Sequence, residues 1–426
     1  MMIKKTLPFT LLLSLLITIT AGNAVEFDIY QSGHKPLRMA WNLDTNSTQT
    51  GAQEKIINHT FKDDLESSES FTLLDPMSFI GRLGQGNTID YADWRIIGTD
   101  IIVQCHIDQL ATPPIANIII HDPFQQKELI RYTLTQLPID PRRLAHAIAN
   151  SVYEKIIGIP GHFSSHILFV QQQHNRANLI FMDQDGHNQQ IAASNFELIL
   201  SPDWSSDGRH VAINSYIAGQ SRLEQLDLST GRMSKFAGYK GLNSTPEYSP
   251  DGRYIAAALS HTGNVEIHIF DTQTNQWRQF THQPGIDTSP TWSPDGKSIA
   301  FVSNRSGNPH IYIQEINSNT AKRITRATNY NTSPAWSPRG DRIAIITKKG
   351  WEYALATIKT DGSDIRYLVT GTGIESPSWS PNGQMLLYSQ EINGLKRVYR
   401  IPNWGGNPHP ITAAHIDASD PAWSKN

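Results

Sequence analysis

The stretch "PTWSPDGKSIAF", Pro290 to Phe301, decides the fold because near-copies of it recur down the chain. Aligned with it are "PDWSSDGRHVAI" from Pro202, "PEYSPDGRYIAA" from Pro246, "PAWSPRGDRIAI" from Pro334, "PSWSPNGQMLLY" from Pro377 and "PAWSKN" from Pro421. Successive copies lie 44, 44, 44, 43 and 44 residues apart, a period that marks a repeat architecture. In the third copy "TWS", "SIAF", "HIYIQEI" and "KRIT" read as short strands separated by the turns "PDG", "NRSGNP" and "NSNT". Four antiparallel strands in each unit of this length make a β-propeller blade. Helical repeats are excluded because the units carry no 3.6-residue periodicity.

The sixth copy stops after its first strand. The missing strands are supplied by "SHILFVQQQHNRANLIFMDQDGHNQQIAAS", Ser165 to Ser194, and positions 163–426 make 264 residues, six repeats of 44. The expectation is a six-bladed ring closed by the C-terminal strand, which leaves no open sheet edge. Trp204, Tyr248, Trp292, Trp336, Trp379 and Trp423 recur once per blade, where large rings fill the wedge between neighbours. Gly208, Gly252, Gly296, Gly340 and Gly383 occupy a turn position that favours positive φ. Asp207, Asp251 and Asp295 can bond the same turn's backbone.

Upstream of the repeats the sequence mixes helix and strand. "GAQEKIINHTFKDDLESS" spaces Ile56, Ile57, Phe61 and Leu65 as on one helix face, with Asp63, Asp64, Glu66 and Glu69 read as a solvated acidic face. "DPRRLAHAIANSVYEKIIG" offers Asp140 as N-cap, Pro141 at the first helical position and Gly158 at the end. "FTLLD", "TDIIVQCHI" and "IANIIIHD" read as strands. The predicted organisation is a signal peptide over 1–24, an α/β domain over 25–160 and the all-β propeller over 161–426. The signal peptide follows from Lys4 and Lys5 before the apolar run "TLPFTLLLSLLITIT" and the small residues "AGNA", with cleavage after Ala24.

A formal charge of -3 gives no electrostatic footprint for nucleic acid or an anionic membrane. The single cysteine, Cys105, lies in an apolar strand and excludes an internal disulfide or a thiolate metal cluster. No G-x-S-x-G elbow, H-E-x-x-H, Walker A loop or G-x-G-x-x-G occurs. His162 and His166 have H-x3-H spacing, but the second begins a strand, where four residues span about 13 Å, so both are read as turn or surface histidines. "DQDG" from Asp183 lacks the later ligands of a calcium loop and is read as a tight turn. No catalytic residue, metal site or cofactor is predicted.

What remains is the mouth of the ring. The loops "GLNSTP", "GIDTSP", "NYNTSP", "GIESP" and "IDASDP" enter the first strand of five blades and emerge with the hairpins between second and third strands. They place Asn243, Ser244, Asp287, Thr288, Asn331, Thr332, Glu375, Asp417 and Ser419 around one opening, a polar rim suited to protein recognition.

The repeats together with "VEFDIYQSG", "PLRMAW", "DLESSESFTLLDP", "IIGTDIIVQCHI", "YEKIIGIPGHFSSHILFV" and the terminal "PAWS" resemble the TolB family of periplasmic propeller proteins of the Gram-negative Tol-Pal system. The resemblance covers essentially the whole chain after the signal peptide. It implies a noncatalytic periplasmic monomer that supports outer-membrane integrity and envelope constriction during division, peripheral to membranes through its partners alone. The implied partners are the outer-membrane lipoprotein Pal, bound by the propeller, and the inner-membrane-anchored protein TolA, bound by the N-terminal segment. Carried over by alignment, the Pal-facing positions are Leu242, Asn243, Asp287, Thr288, Asn331, Thr332, Glu375 and Asp417. The TolA-facing positions are Val25, Glu26, Phe27, Asp28, Ile29 and Tyr30. The chain departs from the family pattern in the shortened turn "QSGHKP" and in Leu242, where a polar residue is common. From the residues alone, a propeller gating a peptidase and a channel that binds a small molecule remain open alternatives.

Overall fold

The computed structural model describes residues 35–46, 50–81, 83 and 89–425; the expected signal peptide and the positions Val25 to Tyr30 lie outside them. The first part of the chain builds one five-stranded sheet in the order β2-β1-β3-β4-β5, from β1 (Leu37–Thr45), β2 (Phe71–Leu73), β3 (Ile101–Asp108), β4 (Ile115–Asp122) and β5 (Lys127–Leu134). β1 runs parallel to both β2 and β3, and β3, β4 and β5 alternate in direction. Parallel neighbours need crossovers, and helix α1 (Thr50–Ser67) supplies the one between β1 and β2.

α1 and α3 (Pro141–Ile157) pack on one face of this sheet. Ile57, Phe61 and Leu65 from α1 meet Leu144, Ile148 and Val152 from α3 over Val103, Cys105 and Ile118. The spacing of these residues predicts that face, and burying it stabilises by roughly 1.5–3 kcal/mol per large side chain. Asp140 caps α3 by accepting the Arg143 amide at 2.9 Å, and Gly158 ends it at φ +83°, a left-handed conformation open to glycine. On the opposite face the short helix α2 (Tyr91–Ile96) seats Trp94 against Ala40 and Ile102. The acidic run on α1 is not a uniformly solvated face: Asp64 is fully buried and Glu66 accepts the Leu73 amide at 3.1 Å.

The rest of the chain forms six four-stranded antiparallel sheets. Blades 1 to 5 cover residues 198–237, 243–279, 287–323, 331–371 and 375–410 in sequence order, and blade 6 joins Asp417–Trp423 to three strands from residues 166–196. The ring therefore closes through the C-terminal strand, as the repeat count predicts.

The recurring aromatic is a stitch between blades as well as a filler. Trp204 Nε1 donates to Ala422 O at 3.0 Å, Trp292 Nε1 to Glu247 O at 3.1 Å and Trp379 Nε1 to Ala335 O at 2.9 Å, each across a blade boundary. The residue preceding the aromatic adds a second stitch where it is polar. Asp203 accepts the Tyr248 amide at 2.7 Å, Glu247 the Trp292 amide at 2.9 Å, Thr291 the Trp336 amide at 3.1 Å and Ser378 the Trp423 amide at 2.9 Å. Among the described residues no helix is long and apolar enough to cross a membrane.

Candidate functional site

The ring axis is a cavity of about 470 Å³ lined by the first strand of all six blades. Its wall repeats one distortion. Ser201, Thr245, Ser289, Ser333, Ser376 and Asp420 each precede a proline and hold φ between +48° and +54°, where the register of strand 1 against strand 2 slips. Such bulges re-aim the strand, and a non-glycine residue held there is strained by about 1–3 kcal/mol. Deeper in the wall Asp203 and Glu247 come together with Lys425, whose Nζ lies 3.0 Å from Asp203 Oδ2 and 3.1 Å from the Tyr248 carbonyl. Burial, followed by the charge of Asp203, pushes Glu247 up to about 8.

The start of strand 1 lies beside the end of strand 2. Asn243 pairs with Leu259, Asp287 with Ser303, Asn331 with Thr347, Glu375 with Ser389 and Asp417 with Gln172. The entry loops and the hairpins between strands 2 and 3 therefore share one face of the ring, where the sequence places the mouth.

The polar residues there do not all point outward. Asn243 is buried and spends its amide on its own loop, donating to the Tyr239 carbonyl at 2.8 Å and accepting the Tyr239 amide at 3.0 Å. Asp287 is fully buried in a 2.7 Å ion pair with Arg305. Burial raises its carboxyl, and Ser303 and Arg305 partly offset that rise. Asn331 is buried against Thr328 at 2.6 Å and His310 at 3.1 Å. Strand starts leave backbone polar groups that must be paired, and these side chains and their neighbours pair them. Thr288, Thr332, Leu242, Glu375 and Asp417 are half-buried and keep surface toward the mouth. Glu375 is bonded to Lys396, whose backbone amide donates to Asp417 at 3.0 Å.

Exposed apolar side chains occupy the same face and were not singled out from sequence. Ile217, Trp351, Ile392 and Leu395 sit in the hairpins between strands 2 and 3, and Tyr239 and Ile286 sit in the entry loops; Trp351 is fully exposed. The signal available was an apolar residue beside a hairpin glycine, as in "KGWE" and "INGL".

The α/β domain docks on the opposite face, where the turns between strands 1 and 2 and between strands 3 and 4 emerge. Asn382 Nδ2 donates to the Pro160 carbonyl at 2.9 Å, Gln184 Nε2 to Asp64 Oδ1 at 3.0 Å, and His409 Nε2 lies 3.2 Å from Glu69 Oε1. His162 is buried in this junction, 3.2 Å from Asn382, and burial lowers its pKa to about 3, so it is not a surface histidine. The "DQDG" segment forms the tight turn expected of it, and its Gln184 and Asp185 face the α/β domain. Asp64, His146 and Asp185 bring ligand atoms within 4.8 Å of one another, but the Arg142 guanidinium already sits on Asp185 and supplies the positive charge there.

Comparison with known proteins assigns the architecture. Residues 153–426 match the family described as "TolB beta propeller domain", and residues 25–129 match "TolB amino-terminal domain". A Tol-Pal system protein TolB of Paramagnetospirillum magneticum is 32% identical over 233 residues, 53% of this chain and 52% of the relative. Its counterpart in Chromobacterium violaceum is 33% identical over 195 residues, 46% of each. The chain thus spans about half the length of the curated relatives it matches. The crystal structure of TolB from Acinetobacter baumannii superposes with a TM-score of 0.82 at 28% identity, covering 92% of this chain and 97% of that one. With a propeller match over more than half its length, an α/β match ahead of it and the same fold in a solved relative, the chain belongs to the TolB family.

Proposed function

We propose that this protein is a noncatalytic, monomeric periplasmic adaptor of the Tol-Pal system that captures the lipoprotein Pal on the mouth of its propeller and engages TolA through Val25 to Tyr30. The observation that carries this reading is the character of the mouth. Half-buried polar groups at Thr288, Thr332, Glu375 and Asp417 share the mouth with half-buried Leu242 and the exposed side chains of Ile217, Trp351, Ile392 and Leu395. A surface of this kind, an aromatic anchor among apolar and polar neighbours, is what protein interfaces use. The relatives' shared description as Tol-Pal system proteins supports the same reading. Working through Pal and TolA, the adaptor would support outer-membrane integrity and constriction at division.

The rim residues divide into two roles under this reading. Thr288, Thr332, Trp351, Glu375 and Asp417 make the contact, and Asn243, Asp287 and Asn331 hold the loops that present it. The test combines Trp351→Ala with Thr288→Arg and measures affinity for the soluble domain of Pal. A loss of at least tenfold with an unchanged melting temperature is expected; unchanged affinity moves the interface off this face. Asp287→Lys is unsuited to the purpose, because it would set two cations together in a buried position beside Arg305. Deleting Val25 to Tyr30 should abolish TolA binding and spare Pal binding.

A further inference from the structure

The junction between the α/β domain and the propeller contains a buried acid–base pair that nothing in the proposed partner binding uses. His146 Nδ1 on α3 lies 2.7 Å from Asp64 Oδ2 on α1, and both side chains are buried. The pair is covered by the propeller: Gln184 Nε2 donates to Asp64 Oδ1 at 3.0 Å, and Arg400 Nη1 donates to Gln184 Oε1 at 3.1 Å. His146 Nε2 has no hydrogen-bond partner and faces Asp185 Oδ2 of blade 6 at 3.7 Å. Arg142 bridges the same boundary from α3, reaching Thr60 on α1 and Asp185 on the propeller. Separating the two domains would return Asp64, His146 and Gln184 to water.

We propose that the Asp64–His146 pair is a proton-dependent latch, holding α1 and α3 against blade 6 at mildly acidic pH and loosening that contact as pH rises past neutral. The reason is the balance of charge around the pair. From α1 comes Asp64, from just beyond its end Glu69, from α3 Arg142 and His146, from the blade 6 turn Asp185, and from blade 5 Arg400 and, 3.2 Å from Glu69, His409. Three carboxylates face two guanidiniums, so charge balances when His146 carries its proton. His187 and the half-exposed His166, paired with Asp185 and Asp183, stand at the edge of the group. An ionised Asp64 stripped of water and left beside a neutral imidazole is a poorly compensated buried charge.

The titration directions agree with the geometry. Burial raises the Asp64 carboxyl to about 7 against the pull of His146. Burial alone would lower His146, but its hydrogen bond to Asp64 and the charges of Asp64 and Asp185 outweigh that and raise it. The two groups share one coupled equilibrium, and the docked pair keeps its proton to higher pH than the separated groups do. Docking therefore takes up protons at this pair. The pair's contribution is lost as pH climbs through its raised values, whereas His162, whose pKa burial in the same junction lowers to about 3, makes docking release a proton below the ordinary histidine value and opposes the pair there. One linked proton changes a docking equilibrium by up to about tenfold per pH unit.

The test is a pH titration of the full mature chain with ¹³Cε1-labelled histidine, with His146→Gln identifying the His146 resonance. A midpoint above that of free histidine is expected; a midpoint at or below it overturns the latch. Docking itself is read by energy transfer between dyes on Lys55→Cys and Lys322→Cys, both exposed sites, while Cys105 is buried and stays unlabelled. The interdomain distance distribution should broaden between pH 6 and 8.5, and Asp64→Asn should remove that dependence. Should Asp64→Asn unfold the α/β domain, Gln184→Ala removes the bond across the boundary together with the one Gln184 accepts from Arg400, and it should weaken docking and lower the His146 midpoint. Unchanged values for both would overturn the proposal. So would a titration that shifts when a chelator is added, which would assign the group to a metal ion.

Discussion

Glu247 shows how one residue can serve the ring and report on it. Its carboxyl accepts from the Trp292 amide and from Thr291 Oγ1, both at 2.9 Å, so it ties blade 2 to blade 3, and it sits half-buried beside Asp203 on the wall of the axial cavity. Burial, followed by the charge of Asp203, pushes its pKa up to about 8 against the pull of Lys425 and its two hydrogen bonds. Because the folded value lies above the unfolded one, the associated stability is fully present below the ordinary glutamate value and declines as pH rises toward 8. Urea unfolding of the wild type should weaken between pH 5 and 8.5 by more than that of Glu247→Gln, whose amide keeps an acceptor without the charge; parallel curves would reject this role. Residue-scale features of this kind were only partly legible. The sequence names Asn243, Asp287 and Asn331 as rim groups but cannot show that their polar atoms are consumed within the fold, because the partners of Asp287 and Asn331, Arg305 and His310, lie 18 and 21 residues away. Asp64 reads as one acid among several until Gln184, 120 residues on, covers it.

At the scale of elements, strands with a local signature were legible and strands without one were not. Each blade carries its own punctuation, a proline before the aromatic and a glycine in the following turn, so boundaries recur whatever the distant contacts. β1 has no such mark: Met39, Ala40 and Trp41 are buried in succession, since parallel neighbours on both sides leave no alternation to read. α2, of six residues, is too short for helical periodicity to declare itself. The closing strand Asp417–Trp423 is the element on which the ring depends, because it alone pairs the propeller's last segment with its first. Removing residues 417–426 exposes the edge at His166–Gln173 and takes Trp423 out of the core that it shares with Ile167 and Phe169. The shortened chain should aggregate or lose its cooperative melting transition, as light scattering and calorimetry would show; a soluble, cooperatively melting product would mean that five blades and an open sheet suffice. Loss of Trp423 packing alone should cost about 3–5 kcal/mol.

The whole molecule has two working faces on one ring. One face is occupied by the α/β domain through a polar junction at Asp64, Gln184, Asn382 and His409; the other presents a mouth in which buried polar residues brace the loops and half-buried or exposed ones meet the surroundings. An interface of standard size, about 1,600 Å² in total, fits such a mouth. The segment proposed to engage TolA precedes β1, which is hydrogen-bonded to β2 and β3 within the same α/β domain that rests on the propeller. Partner binding at the mouth and segment availability at the far side would be linked if the junction moves, and the linkage would be reciprocal. The measurement that bears most directly on the proposed adaptor role is titration calorimetry of the purified chain from Val25 onward against the soluble domain of Pal from the same organism. The account predicts saturable one-to-one binding. A folded chain that releases no heat and shows no binding at any attainable concentration would contradict it.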